Sequence, residues 1–365
     1  MYIIVFFSLF ALLLTYCEQK GYLKWGMLSS FILLFAIAAL RYNYGNDYAG
    51  YHEMYNEIIR YHFSFRRIIE ERSVREFGWV LLNYLFEPIG GFYALVAFVA
   101  LVQNFVYYRF IRLYLPKDEW TCAVFIYVFS TNFYILNMSM MRQGLAIALF
   151  VWSFNSIRKN DIILSLLLIG LAWSVHRSAI VLFPFVLLPF FLKKREMGSL
   201  IAIVVGLLCV LLFTNKGIVS FLFSQSMALE DIENYADYYG NNPSAVQYGL
   251  GFLLNLVPFL LLLFYLIRAK SSTLDQRMLV VLATISTLII PFGEIVPLVG
   301  RVGMYFGAFG IVAVPLVIKW LPNRHIARGA LILYIFMTLY GYLGFFHSPI
   351  WQDAYSEYHT ILGII

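Results

Sequence analysis

Apolar runs succeed one another along almost the whole chain with only short polar breaks, at positions 2–17, 25–40, 91–111, 120–137, 142–157, 160–174, 178–192, 198–214, 248–268, 278–293, 300–320 and 329–346. A helix needs about 20 apolar residues to cross hydrocarbon, and about 17 suffice. The pattern therefore predicts an all-α, polytopic integral membrane helix bundle of about twelve transmembrane helices. Segment 77–88, ended by Pro88 and Gly90-Gly91, is too short to span and reads as a re-entrant or interfacial helix on the outer face. No second apolar core is available, so residues 1–365 read as one transmembrane domain, with the long loops 41–90 and 215–247 contributing to a substrate cavity.

Composition agrees with a lipid solvent. Hydrophobic residues are 62% of the 365 and charged residues 13%, where a soluble domain carries about 25%. The net charge of +6 does not point to nucleic acid, because the basic residues sit in small groups between apolar runs. Sixteen of them, from Lys20 and Lys24 through Arg109, Arg112 and Lys117 to Arg324 and Arg328, fall on one side with six acidic residues, leaving ten basic and fourteen acidic on the other. By the positive-inside rule the first side is cytoplasmic. Both long loops, the tail after Phe346 and both termini then face outward.

Cys17, Cys122 and Cys209 lie in or beside apolar stretches without metal-ligand spacing and read as helix-packing residues. Residues 1–14 lack the basic start of a secretion signal and read as the first membrane helix. The absence of a P-loop, a Rossmann fingerprint and an HExxH motif leaves no cofactor and no metal to expect.

A charge at the centre of a membrane helix costs about 2.5–3.5 kcal/mol on insertion scales, which makes ionisable groups at helix ends functional candidates. The stretch Arg41-Tyr42-Asn43-Tyr44-Gly45-Asn46-Asp47-Tyr48, with Tyr51 and Tyr55 at helical spacing, follows the second run. Asp47 there can cap the next helix, or accept a substrate hydroxyl with the tyrosines as sugar platforms. Arg142 and Gln143 sit between two apolar runs, and Arg142 either snorkels or faces an anion in a cavity. His176, in the turn His176-Arg177-Ser178, is either polar filler or a proton carrier suited to neutral pH. Glu294 and Arg301 flank Pro297 and Gly300, and Arg301 shares a helical face with Tyr305. Gly303 and Gly307 read as a close helix contact. Glu76, opening the short helix, is a second carboxylate or a charge favoured by the helix dipole. The loop 230–239 and the tail 351–355 mix carboxylates with aromatic rings, as carbohydrate sites and solvated belts both do. All the singled-out groups fall at outward helix ends, where arginines could hold a diphosphate and a carboxylate or imidazole could take a proton from a hydroxyl.

On these motifs the chain resembles the EpsG family of Wzy-like polysaccharide polymerases. The resemblance is carried by Arg41 to Tyr48 with Tyr51, where Asn46 replaces a common Thr, by Glu76-Phe77-Gly78, by Met141 to Ala146, by His176 to Ala179, and by Arg301 to Tyr305. It implies a bacterial inner-membrane glycosyltransferase, with a bundle related to the GT-C glycosyltransferase fold and an active site facing the periplasm or cell exterior. Such an enzyme builds O-antigen of lipopolysaccharide, capsule or exopolysaccharide by moving a growing glycan from undecaprenyl diphosphate onto the terminal hydroxyl of a new lipid-linked repeat unit. The residues implied are His176, Asp47 and Glu76 for catalysis, and Arg41, Arg142, Gln143, Arg301, Tyr48, Tyr51, Tyr305 and Glu294 for substrate. An O-antigen ligase or another lipid-linked-sugar glycosyltransferase would use the same cavity, and a flippase is a third reading. Sugar identity, stereochemistry and a chain-length regulator as partner stay open.

Overall fold

The computed structural model describes residues 1–60, 76–194, 196–198, 200, 201, 203, 204, 250–293, 297–349 and 351–363. Most of the expected span 198–214 with Cys209, the loop 215–247 and Glu294 lie outside the described residues. The chain packs as two compact units, Met1–Val186 with Ile335–Ile365, and Leu187–Tyr334.

The first unit holds α1 (Tyr2–Gln19), α2 (Gly26–Leu40), β1 (Arg41–Tyr42), α3 (Tyr48–Ile59), α4 (Phe77–Tyr114), α5 (Trp120–Phe129), α6 (Tyr134–Ser139), α7 (Met141–Arg158), α8 (Ile162–Val175) and most of a 3₁₀ stretch over Arg177–Leu187. The second holds α9 (Leu188–Leu192), α10 (Leu250–Arg268), α11 (Leu274–Gly293), α12 (Pro297–Gly307) and α13 (Gly310–Trp320). Then come α14 (Arg324–His347) and β2 (His359–Thr360), which pairs antiparallel with β1. By length and composition α1, α4 and α14 can each cross a membrane, and α12 with α13 make a fourth candidate bent by 56°. Among the described residues, several of the other expected runs form helices shorter than a full span or broken ones.

In α1 the residues Ile4, Ser8, Ala11, Thr15 and Glu18 are buried, a stripe alternating four and three apart that faces α2. Small residues let the two backbones come together, as helices in lipid require. Gly26 is where this is tightest, since a Cβ there would lie 2.0 Å from the Leu14 carbonyl oxygen. Ser30 Oγ donates to the Ala11 carbonyl at 2.6 Å and meets Thr15 Oγ1 at 2.9 Å. Glu18 Oε2 accepts the Met27 N–H at 2.8 Å, satisfying one of the free donors that open α2. At this end Gln19 also accepts from the Thr121 N–H at 3.1 Å. At the opposite end of α2 the C-terminal tail closes the unit. Tyr358 Oη donates to the Ile37 carbonyl at 2.6 Å, and Ile361 N–H donates to the Leu40 carbonyl at 2.9 Å. Within this unit the Gln19–Thr121 contact and the C-terminal tail thus lie at opposite ends of α2.

Two further expected spans are broken. Run 120–137 divides into α5 and α6 around Ser130-Thr131-Asn132, whose side chains compete with the helix for backbone groups. Run 178–192 is a 3₁₀ stretch followed by α9, because Pro184 and Pro189 each remove an N–H and crowd the preceding turn. The break at the end of segment 77–88 is present. Gly90 and Gly91 leave helical geometry inside α4, Gly91 with φ 68. Helix α3 packs on both sides of the break: before it Trp79 lies on Tyr51 with ring centroids 5.4 Å apart, and just after it Phe92 lies on Tyr48 at 5.3 Å. The tail also differs from a solvated belt. Tyr355 is fully buried against Tyr44, and Trp351 stacks on Phe345 at 5.1 Å.

Outward from the core the surface is apolar, with Ile163 76% and Ile332 67% exposed, as a lipid-facing bundle requires. Replacing Gly26 by Ala should lower stability by about 1–3 kcal/mol through overpacking. The measurement is the melting temperature in detergent, and an unchanged value would mean that α1 and α2 have room to part.

Candidate active site

Three charged or titratable side chains from distant points of the chain converge in the first unit. Glu76 is the residue that caps α4, Arg142 is the second residue of α7, and His176 ends α8 in an extended conformation. Arg142 Nη1 donates to Glu76 Oε2 at 2.5 Å, and His176 Nδ1 lies 3.4 Å from Glu76 Oε1. The second contact is short enough for attraction but not aligned as a hydrogen bond, and both ring nitrogens of His176 are buried without a hydrogen-bond partner among the described residues. The three side chains are 11%, 24% and 16% exposed, so the group is largely sheltered, with Arg142 the most accessible of the three.

The approach of α4 to α8 makes this meeting possible. A Cβ at Gly78 would lie 2.3 Å from Ser174 Oγ and 2.9 Å from the Ser174 backbone. Only glycine lets the first turn of α4 come so near the end of α8, two residues before His176. Gly144 does the same one turn into α7, where a Cβ would meet Gln103 and the Asn137 side chain. Behind the ion pair stands Tyr51 of α3, its hydroxyl 3.5 Å from Arg142 Nε and its ring 5.4 Å below the guanidinium. Trp79, buried to 1%, packs on Tyr51 and completes the wall. Its signal in the sequence was its place one turn after Glu76. No spacing in the sequence links Gly78 to Ser174.

Glu76 makes no side-chain bond to its own helix, since its oxygens face Arg142 and His176. Burial pushes its carboxyl up, but the neighbouring His176 ring and the Arg142 charge outweigh that and hold it at about 2. It is therefore ionised at neutral pH. A carboxylate facing Nδ1 favours the tautomer with its proton there, leaving Nε2 as the basic nitrogen. Among the described residues no three His, Cys, Asp or Glu side chains gather as a metal-binding group.

The other candidates are placed differently. Arg41, 2% exposed, donates to the Ala38 carbonyl and, at 2.9 Å, to the Met138 carbonyl. These are free acceptors in the last turns of α2 and α6, so one guanidinium caps two helix ends. Tyr48 belongs with it, its hydroxyl donating to the Arg41 carbonyl at 3.2 Å and its ring under the guanidinium. Asp47 occupies the cap of α3 in αR geometry and its side chain makes no cap bond, while its N–H donates to Ser139 Oγ at 3.1 Å. Gly45, with φ 108, lies against Ser139 where a Cβ would approach within 3.0 Å. Gln143 is buried beside Arg142. Arg301 and the fully buried Tyr305 lie one turn apart on α12 of the second unit, where a Cβ on Gly303 would meet Ile289 at 3.0 Å. That contact is the close helix approach expected of Gly303.

Compared with known proteins, the chain matches the EpsG family over residues 24–360. No curated protein and no solved structure matches it.

Two outcomes follow from the geometry. Arg41→Leu should cost about 1–3 kcal/mol for each carbonyl left bare, seen as a lower melting temperature in detergent, and a variant as stable as the parent would refute the capping role. Glu76 has its carboxyl lowered from 4.5 to about 2, so its ion pairing stabilises the fold fully above pH 4.5 and loses that contribution as pH falls toward 2. The melting-temperature gap between the parent and Glu76→Gln should hold steady above pH 4.5 and narrow below it.

Proposed function

The chain belongs to the EpsG family, and from that premise we propose that it is a Wzy-type polymerase transferring a growing glycan from undecaprenyl diphosphate to a lipid-linked repeat unit. Membership by itself indicates a membrane protein of polysaccharide synthesis with a polymerase-like activity. The finer reading rests on one observation, the Glu76 carboxylate that contacts Arg142 on one oxygen and His176 on the other.

In this reading the acceptor hydroxyl attacks the anomeric carbon of the donor, and His176 Nε2 takes its proton. Glu76 holds the ring through Nδ1 and stabilises the imidazolium that forms. The glycosidic carbon–oxygen bond to the diphosphate breaks, and negative charge grows on the leaving group. Arg142 uses Nη1 on Glu76 and directs Nε at Tyr51, so Nη2 is left for a phosphate oxygen. Stabilising charge where it develops is often the largest catalytic contribution. Tyr51 with Trp79 supplies aromatic surface for a sugar ring. The site lies at the end of the bundle opposite the Gln19–Thr121 contact, which supports an opening away from the cytoplasm.

Purified protein given synthetic lipid-linked repeat units tests this directly. His176→Ala should slow polymer formation by about 100-fold or more, the usual range for a lost general base, and Arg142→Ala should do so with the acceptor still bound. Full-length polymer from His176→Ala would overturn the assignment. A product joined to a different acceptor lipid, with no lengthening of the repeat chain, would indicate a ligase.

A further inference from the structure

A second feature of the first unit lies far along α4 and α7 from Glu76 and Arg142. The C-terminal halves of these two helices border a groove of about 240 Å³. Phe105, Arg109 and Leu113, at intervals of four on α4, form one side of it, and Val151, Trp152 and Asn155 of α7 form the other. Phe105 and Trp152 meet with ring centroids 5.8 Å apart and are 44% and 46% exposed. The inner part of the groove is thus aromatic and aliphatic and faces the hydrocarbon. Its other end is cationic. Arg109 is exposed and has no hydrogen bond or ion pair among the described residues, and no carboxylate lines the groove.

Helix ends attract cations through the dipole, and that explains Arg112 and Arg158 near the ends of α4 and α7. Both are engaged: Arg112 with the Tyr108 hydroxyl at 2.5 Å, and Arg158 with Asn155 Oδ1 at 3.2 Å and over the Tyr114 ring. Arg109 stands more than a turn before the end of α4, so the dipole does not account for it. It lies about 7 Å inside the helix end at 1.5 Å per residue, beside the apolar wall of the groove. An unpaired guanidinium above an apolar groove, at the basic end of a membrane bundle, is complementary to a lipid with a negative headgroup.

We propose that this groove binds one anionic phospholipid of the bilayer, its phosphate on Arg109 and an acyl chain laid along Phe105, Val151 and Trp152. The site is separate from glycosyl transfer and depends on neither His176 nor Glu76.

Native mass spectrometry of the full chain tests it, with the protein given equal amounts of phosphatidylglycerol and phosphatidylcholine carrying the same acyl chains. The parent should retain phosphatidylglycerol preferentially. Arg109→Gln should weaken that retention about fivefold, roughly what one charge at a membrane surface is worth. Arg112→Gln, an identical change of charge three residues on, should leave it near the parental level. Trp152→Ala should weaken retention of phosphatidylglycerol through loss of the acyl wall. Equal retention of the two lipids by the parent would overturn the site, as would equal losses in the Arg109 and Arg112 variants. Arg109→Gln should keep the parental melting temperature in lipid-free detergent, since Arg109 has no partner to lose, and a fall there would count against the proposal.

Discussion

Helices in hydrocarbon gain nothing from placing leucine against leucine, since the solvent is equally apolar, so this bundle is held by backbones that come very close at a few small residues. Gly26 against Leu14, Gly78 against Ser174, Gly144 against Asn137 and Gly303 against Ile289 are such points. At Gly26 and Gly78 the neighbour is backbone that a methyl group would strike, and at Gly144 and Gly303 it is a side chain that would have to shift. At those contacts a small number of buried polar bonds become decisive, because an acceptor left bare in lipid has no water to turn to. Ser30 on the Ala11 carbonyl and Arg41 on two helix ends answer that demand.

The proposed site grows out of the same constraint. Glu76, Arg142 and His176 stand at the ends of three different helices, and their side chains meet because α4 can approach α8 at Gly78. One carboxylate then serves two partners, holding an imidazole by one oxygen and a guanidinium by the other. The carboxyl stays ionised despite its burial because both neighbours favour the charge. A site of this kind is ordered before substrate arrives, which lowers what must be rearranged when charge moves in the reaction.

Arg41 shows how the same residue type diverges by position. Arg41 and Arg142 both begin at outward helix ends in the sequence, and either could face an anion. The Met138 carbonyl near the end of the short α6 and the Ala38 carbonyl near the end of α2 both accept from Arg41, so that guanidinium is spent on two helix ends. Arg142 instead opens α7, where the free groups are N–H donors rather than carbonyls, and its cation turns to the carboxylate of Glu76.

Much was legible in the chain before its fold was known. The apolar runs announced a helical membrane protein, and Gly90-Gly91 marked the break in α4. The motifs around Glu76, Arg142 and His176 carried the family. These features are local, since hydrophobic length, charge and backbone freedom act over a few residues. What needed tertiary structure was every statement about partners. Tyr355 read as part of a carbohydrate surface or a solvated belt and is buried, Asp47 read as a cap or a substrate carboxylate and makes no cap bond, and run 120–137 read as one helix and is two. The union of Glu76 with His176 depends on how closely two helices approach, a distance set by the missing side chain of Gly78 and its neighbour Ser174, a hundred residues away along the chain.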